Sequence, residues 1–179
     1  MTVTERFEQI PTGTWELDAV HSTFGFLVTH NRVSKFRAEF EQVEATLEGG
    51  VLVGVARVDS VRTSVPQLKE HLLSPDFFNA AEDPLITFCS TDIRIGTYGN
   101  AEVDGELTIR GVTQPVTAEG NFARSENMIG EQVVGFDLYA TIDRRDYGLG
   151  WQAQLRNGLN VLGWGVALEA HFELGPAQT

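Results

Sequence analysis

The chain has one cysteine, Cys89, among its 179 residues, so an internal disulfide is impossible. That cysteine sits in an alternating apolar run and reads as a small core residue, with no spacing signature of a thiol nucleophile. Positive charge is also scarce. Thirteen Lys and Arg face twenty-five Asp and Glu, for a net charge of −12. This excludes a basic nucleic-acid surface and opposes docking on anionic lipid headgroups. No run approaches the ~18 apolar residues of a membrane helix, so stable membrane insertion is not expected. The opening stretch MTVTERFEQIPTGTW has no apolar h-region, which sets the expectation of a cytoplasmic protein without a signal peptide. Glycine-rich phosphate loops and a Gly-x-Ser-x-Gly elbow are missing as well. His21 and His30 lie nine residues apart, about 30 Å at strand rise. No His-x-His or Glu-x-x-His pair occurs, so neither a metal site nor a catalytic residue is assigned. His21 and His71 read as hydrogen-bonded structural residues, and His171 as solvent-exposed.

What the chain does have is period-two alternation. From Leu162 onward, Leu162, Trp164, Val166, Leu168, Ala170, Phe172 and Leu174 fall on one side, a pattern only a strand can use. Val134, Phe136, Leu138, Ala140 and Ile142 repeat it, as do Phe24, Phe26 and Val28, and then Phe36, Ala38 and Phe40. Further strand-like runs cover 52–61, 85–95, 101–109 and 116–122. Between them lie the turn clusters Glu48-Gly49-Gly50, Tyr98-Gly99-Asn100, Arg110-Gly111, Gln114-Pro115 and Asn157-Gly158. About eight strands with short turns predict an antiparallel sandwich or closed barrel, and long strands in a small domain favour closure because it removes edges. An apolar fraction of 42% argues against disorder. One domain over 1–179 is expected, with 1–12 as a loose tail.

One segment, LKEHLLSPDFFNAAEDPLITF at 68–88, departs from this pattern. Ser64 is placed to cap a helix, with Pro66 in its first turn and Gln67 completing a capping box. Val65, Leu68, Leu72 and Leu73 share a face at helical spacing. Ser74 and Pro75 signal a second short start carrying Phe77 and Phe78, and Asp83-Pro84 ends it. A helical segment at about 65–80 is therefore predicted. Farther on, Asp143, Arg144, Arg145 and Asp146 concentrate charge at a strand end. They read as an anion-binding rim or, more commonly, as exposed ion pairs of little energetic weight.

Four blocks in order resemble the YceI-like family of polyisoprenoid-binding, lipocalin-like barrels. The first runs through Trp15, Asp18, His21, Ser22, Phe26 and His30. The second runs from His71 and Leu72 through Ser74, Asp76, Phe77, Phe78, Pro84, Ile86, Phe88, Ser90 and Thr91. The third holds Gly105, Leu107, Thr108, Gly111, Val112 and Pro115, and the fourth Asp143, Arg144, Asp146 and Gly148. The resemblance implies an all-β, eight-stranded antiparallel barrel with a helical segment at one end. It implies a hydrophobic tunnel for a long isoprenoid, often in a homodimer. One departure stands out: Leu68 and Lys69 replace an Arg-Asp pair common in the family, which makes the segment greasier and bears on head-group recognition.

Together these readings predict non-catalytic binding of a polyisoprenoid, prenyl quinone or similar lipid, with no cofactor beyond that ligand. Phe24, Phe26, Val28, Phe36, Phe40, Leu72, Phe77, Phe88, Leu107 and Ile109 are assigned to the tunnel lining. His71 and Arg144 are assigned to its polar end. The alternatives are a hydrolase or isomerase acting through His71 with Asp76 or Asp146, and a filled barrel used as a protein-interaction module. A continuous internal cavity favours the lipid; a packed interior favours the module.

Overall fold

Alternating side chains let one backbone build a wall with an apolar inside and a polar outside, and this chain uses that device throughout. The computed structural model describes residues 9–178. Its strands are β1 (Thr14–Leu17), β2 (Thr23–His30), β3 (Ser34–Phe40), β4 (Val43–Glu48), β5 (Val51–Arg57), β6 (Val61–Arg62), β7 (Leu85–Ile95), β8 (Asn100–Ile109), β9 (Val112–Glu126), β10 (Gln132–Asp143) and β11 (Leu162–Pro176). The single α-helix among the described residues, α1, is Pro66–Leu73. Every ladder is antiparallel.

The strands close on themselves. β1 and β2 are two halves of one stave, both paired with β11. β3 and β4 are likewise halves of the next, paired with β2 and β1 respectively. With β5, β7, β8, β9, β10 and β11 this makes a closed barrel of eight staves, and closure leaves few backbone groups on open edges. Closure is incomplete at one end. There the edge of β3 away from β2 pairs only with two-residue β6, through Glu39 and Phe40, while β5 has turned to β7. Helix α1 and the loop after it lie against this gap, packing Leu68, Leu72, Phe77 and Phe78 on the core.

Several local expectations are corrected. Residue Val65, not Ser64, occupies the helix N-cap, and no side chain caps it. The second helical start is absent. Ser74 is instead the C-cap of α1, its hydroxyl donating to the His71 carbonyl at 2.7 Å and accepting from the Asp76 N–H at 3.3 Å. The reason lies in the carbonyls that a helix end leaves free. The Phe78 N–H takes the Leu72 carbonyl and the Ala80 N–H takes that of Leu73, both at 2.9 Å, which folds the segment back under the helix. Gln114-Pro115 falls inside β9, paired with β8. The β9–β10 ladder stops at Glu119, so the proline lies where only one neighbour needs backbone donors. The run at 52–61 breaks at Arg57 into a 3-10 turn, Val58–Ser60. Of the tail expected at 1–12, residues 1–8 lie outside the described residues. Ile10 packs on the core and Pro11 is buried.

Two apolar clusters fill the barrel. Trp15, Leu47, Leu52, Val103, Phe122, Val134, Phe136 and Leu174 plug the fully closed end. Phe26, Phe40, Ile86, Ile109, Ile142 and their neighbours line the end beneath α1. Phe88 packs on both. Among the described residues no helix is long and apolar enough to cross a membrane.

Candidate functional site

The interior is not filled. A deep chamber of about 90 Å³ and an outer chamber of about 400 Å³ share Phe24, Ile86 and Leu168 in their walls, so the two adjoin inside the barrel. The space has a cause in sequence. Gly54, Ala56, Ala118, Ala140 and Ala170 all face the deep chamber. The β10–β11 register sets Ala170 opposite Leu138 and Ala140 opposite Leu168. Each large residue thus meets a small one, and five small residues at one level leave a void that larger ones would fill. From Leu162 to Phe172, β11 runs past both chambers over ten residue steps. At strand rise and a barrel tilt near 40° that is about 25 Å along the axis.

The outer wall is aromatic. Phe24 stacks on Phe40 at 5.6 Å, and Phe78 meets Phe26 and Phe40 edge-on at 6.0 and 5.9 Å. The structure places Phe24, Phe26, Val28, Phe36, Phe40, Leu72, Phe77, Ile109 and Arg144 on the outer chamber, and Phe24, Phe88 and Leu107 on the deep one. His71 is on neither. Sequence reasoning assigned Phe77 and overlooked Phe78, the more buried of the pair at 8% exposure. It also omitted Ala140, Leu168 and Ala170, although their inward alternation was visible. Leu68, one of the two departures from the family pattern, contributes directly to the outer wall. Phe88 owes its position to Gly105: a Cβ there would stand 2.5 Å from the Phe88 ring and 2.6 Å from the Cys89 carbonyl.

The DRRDYG turn separates its two arginines. Asp143 caps the 3-10 turn Arg144–Tyr147 by accepting the Arg145 N–H at 2.9 Å, and Gly148 closes it in the left-handed region at φ 74°. Arg145 stays outside, bonded to Asp143. Hydrogen bonds from the Arg145 side chain and backbone hold the Asp143 carboxyl at about 2. Arg144 turns inward and is 4% exposed, so the expectation of exposed ion pairs fails for it. Its Nε donates to the Gly163 carbonyl at 2.9 Å, and its Nη1 to those of Leu149 and Trp151 at 2.5 and 2.9 Å. The guanidinium carbon lies 4.3 Å from the centre of the Trp164 ring. Burial lowers its pKa from the ordinary arginine value. Its Nη2 has no partner among the described residues.

The histidines divide differently from expectation. His71 sits in the last turn of α1, its Nε2 2.9 Å from the Asp76 carboxylate and its ring edge-on to Phe77 and Trp151. His171 is not simply solvated: its Nδ1 lies 2.8 Å from the carboxylate of Asp137, its cross-strand partner. His21 holds Asp18 at 2.8 Å on the barrel's outside. Hydrogen bonding between them raises the histidine pKa and lowers that of the carboxyl. Glu173 joins this pair, with all three potential ligand atoms within 4.8 Å of one another.

Comparisons with known proteins agree with this architecture. The YceI-like domain model matches residues 15–174. A UPF0312 protein of Staphylococcus aureus is 33% identical over 165 residues, covering 87% of this chain and 94% of its own. One from Staphylococcus epidermidis is 32% identical over 168 residues, covering 89% and 95%. Among solved structures, Burkholderia cenocepacia BcnA superposes with a TM-score of 0.72 at 18% identity, over 88% of this chain and 98% of its own. The Campylobacter jejuni YceI protein gives 0.73 at 21%, over 84% and 90%. A polyisoprenoid binding domain from Saccharophagus degradans gives 0.70 at 16%, over 91% and 98%. The chain belongs to the YceI-like family.

Proposed function

We propose that this protein binds a long, apolar, isoprenoid-like chain inside its barrel and carries or sequesters it without chemical change. The observation that carries the reading is the two-chamber tunnel, walled almost entirely by apolar side chains. Its volume lies in the range of small-molecule sites. The polyisoprenoid binding domain that shares the fold supports the same ligand class. Each buried methylene contributes about 0.8 kcal/mol, so a five-carbon prenyl unit contributes about 4 kcal/mol. Association costs roughly 4–15 kcal/mol. Three units therefore about offset that cost, and a longer chain or a bound head supplies net affinity. The hydrolase or isomerase reading is weaker because the His71–Asp76 pair lies off the tunnel wall.

The test is organic extraction of the purified protein followed by mass spectrometry, together with uptake of prenyl alcohols and prenyl quinones by lipid-free protein. A co-purifying or absorbed long-chain lipid is the expected result. Clean protein that takes up neither class would overturn the proposal.

A further inference from the structure

The tunnel reading leaves open what sits at the polar end of the ligand, and the charges of the outer chamber bear on this. Its polar wall residues are His30, Ser34, Lys35 and Arg144, with no Asp or Glu among them. That is unusual for a chain with twenty-five acidic and thirteen basic residues. Three of the four come from the β2–β3 hairpin at the mouth, where Lys35 and Ser34 are exposed. Arg144 reaches the wall from the end of β10, separated from β2 by β11 alone.

Arg144 is a built group with no carboxylate in ion-pair contact, and the neighbouring Asp143 offsets its charge only through space. Buried arginines are ordinarily paired with a carboxylate, because an isolated charge is costly away from water. Here three main-chain carbonyls and the Trp164 face fix the guanidinium. No carboxylate lies within ion-pair distance of Arg144 among the described residues. Carbonyls satisfy donors but supply only partial negative charge. The remaining nitrogen, Nη2, is buried and bonds to nothing described. An unused donor on a charged group is among the more expensive features a fold can keep. It is well suited to an oxygen anion that arrives with the ligand.

We propose that the ligand is an amphiphile with an anionic oxygen head, a carboxylate or a phosphate monoester, drawn to the Arg144 guanidinium in the outer-chamber wall while its apolar chain runs toward the deep chamber. Lys35 then stands at the entrance, its Nζ already held by the Thr29 hydroxyl at 2.9 Å and still possessing free donors. This assignment rests on the tunnel reading and narrows it, since neutral prenyl alcohols and quinones would give the buried guanidinium no ion-pair partner.

Equilibrium dialysis with two matched pairs tests it: palmitate against hexadecanol, and farnesyl phosphate against farnesol. Wild-type protein should favour the anionic member of at least one pair by about 10- to 100-fold, the scale of a hydrogen bond to a charged group. The pair showing the larger preference identifies the carboxylate or the phosphate source. In Arg144→Met the ratio of anionic to neutral binding within each pair should collapse toward one. Lys35→Met, at an exposed position, should reduce the preference only a few-fold. Equal binding of neutral and anionic members by the wild type would overturn the anionic head and leave the tunnel reading standing. Binding of no member would overturn both. A preference undiminished in Arg144→Met would overturn the role of that residue. If that variant does not fold, the wild-type pairs and Lys35→Met still decide the head chemistry.

Discussion

Filling the deep chamber is the most informative perturbation, because it moves stability and binding in opposite directions. Ala140 faces the chamber from β10, opposite Leu168. Ala140→Leu adds three carbons to a space of about 90 Å³, worth about 2 kcal/mol if they are buried without strain. For a domain of this size that corresponds to a rise in Tm of about 4–8 °C. The same atoms exclude the far end of a ligand chain. One displaced prenyl unit forfeits about 4 kcal/mol of burial before the ordering cost of that unit is returned, so affinity for the longest chains should fall by ~10- to 100-fold. The assay is a length series of prenyl compounds of ten, fifteen and twenty carbons, read by dialysis alongside a thermal melt. In the wild type, affinity should climb through the series; in the variant it should level off about one unit sooner. A more stable variant with an unchanged length dependence would show that the chain never reaches the chamber, and the tunnel argument would fail. A destabilised variant would show that the chamber walls cannot accept the added side chain.

Other perturbations follow from the same geometry. Gly105→Ala sets a Cβ against the Phe88 ring and the Cys89 carbonyl, and is expected to cost about 1–3 kcal/mol in chemical denaturation while pushing Phe88 toward the chamber. Leu72→Ala removes a 5%-exposed side chain that joins α1 to the barrel, and should cost about 2–5 kcal/mol and loosen ligand retention; a loss below about 0.5 kcal/mol would mean that α1 is not packed as described. Asp143, held at about 2 by Arg145 against about 3.9 when unfolded, contributes stability that is complete above pH 4 and lost as pH falls toward 2. Asp143→Asn should therefore melt below the wild type at pH 6, with the difference shrinking between pH 4 and pH 2. A difference independent of pH would assign the effect to the turn geometry alone.

Much of the barrel is legible in the residue order. The alternation in 134–142 and 162–174 depends on a two-residue period that no other element shares, and the expected faces turn inward except at Trp164, which a register irregularity between Leu162 and Val166 sets against Arg144 and Arg145. Glycine pairs mark real turns for the same local reason. Local signals mislead where a distant group competes. Ser64 and Ser74 carry good capping chemistry, yet backbone donors of Phe78 and Ala80 reach the end of α1 and decide the shape of the segment. Pro115 looks like a turn until the limits of the β9–β10 ladder are known. Phe77 and Phe78 cannot be ranked by sequence, since only the returning loop determines which ring enters between Phe26 and Phe40.

The sequence by itself determined long antiparallel strands, most of their inward faces and the interrupting helix, because periodicity and turn chemistry are encoded over a few neighbouring residues. Between sandwich and barrel, periodicity left the choice open, and the family resemblance pointed to the barrel. Tertiary structure alone decided whether that barrel is hollow. The void needs small residues from four strands to coincide at one level, and that coincidence depends on register across the sheet. It likewise decided the fate of two adjacent arginines. A 3-10 turn sends Arg145 to solvent and Arg144 into the wall, where the carbonyls of Leu149, Trp151 and Gly163 hold all but one of its nitrogens.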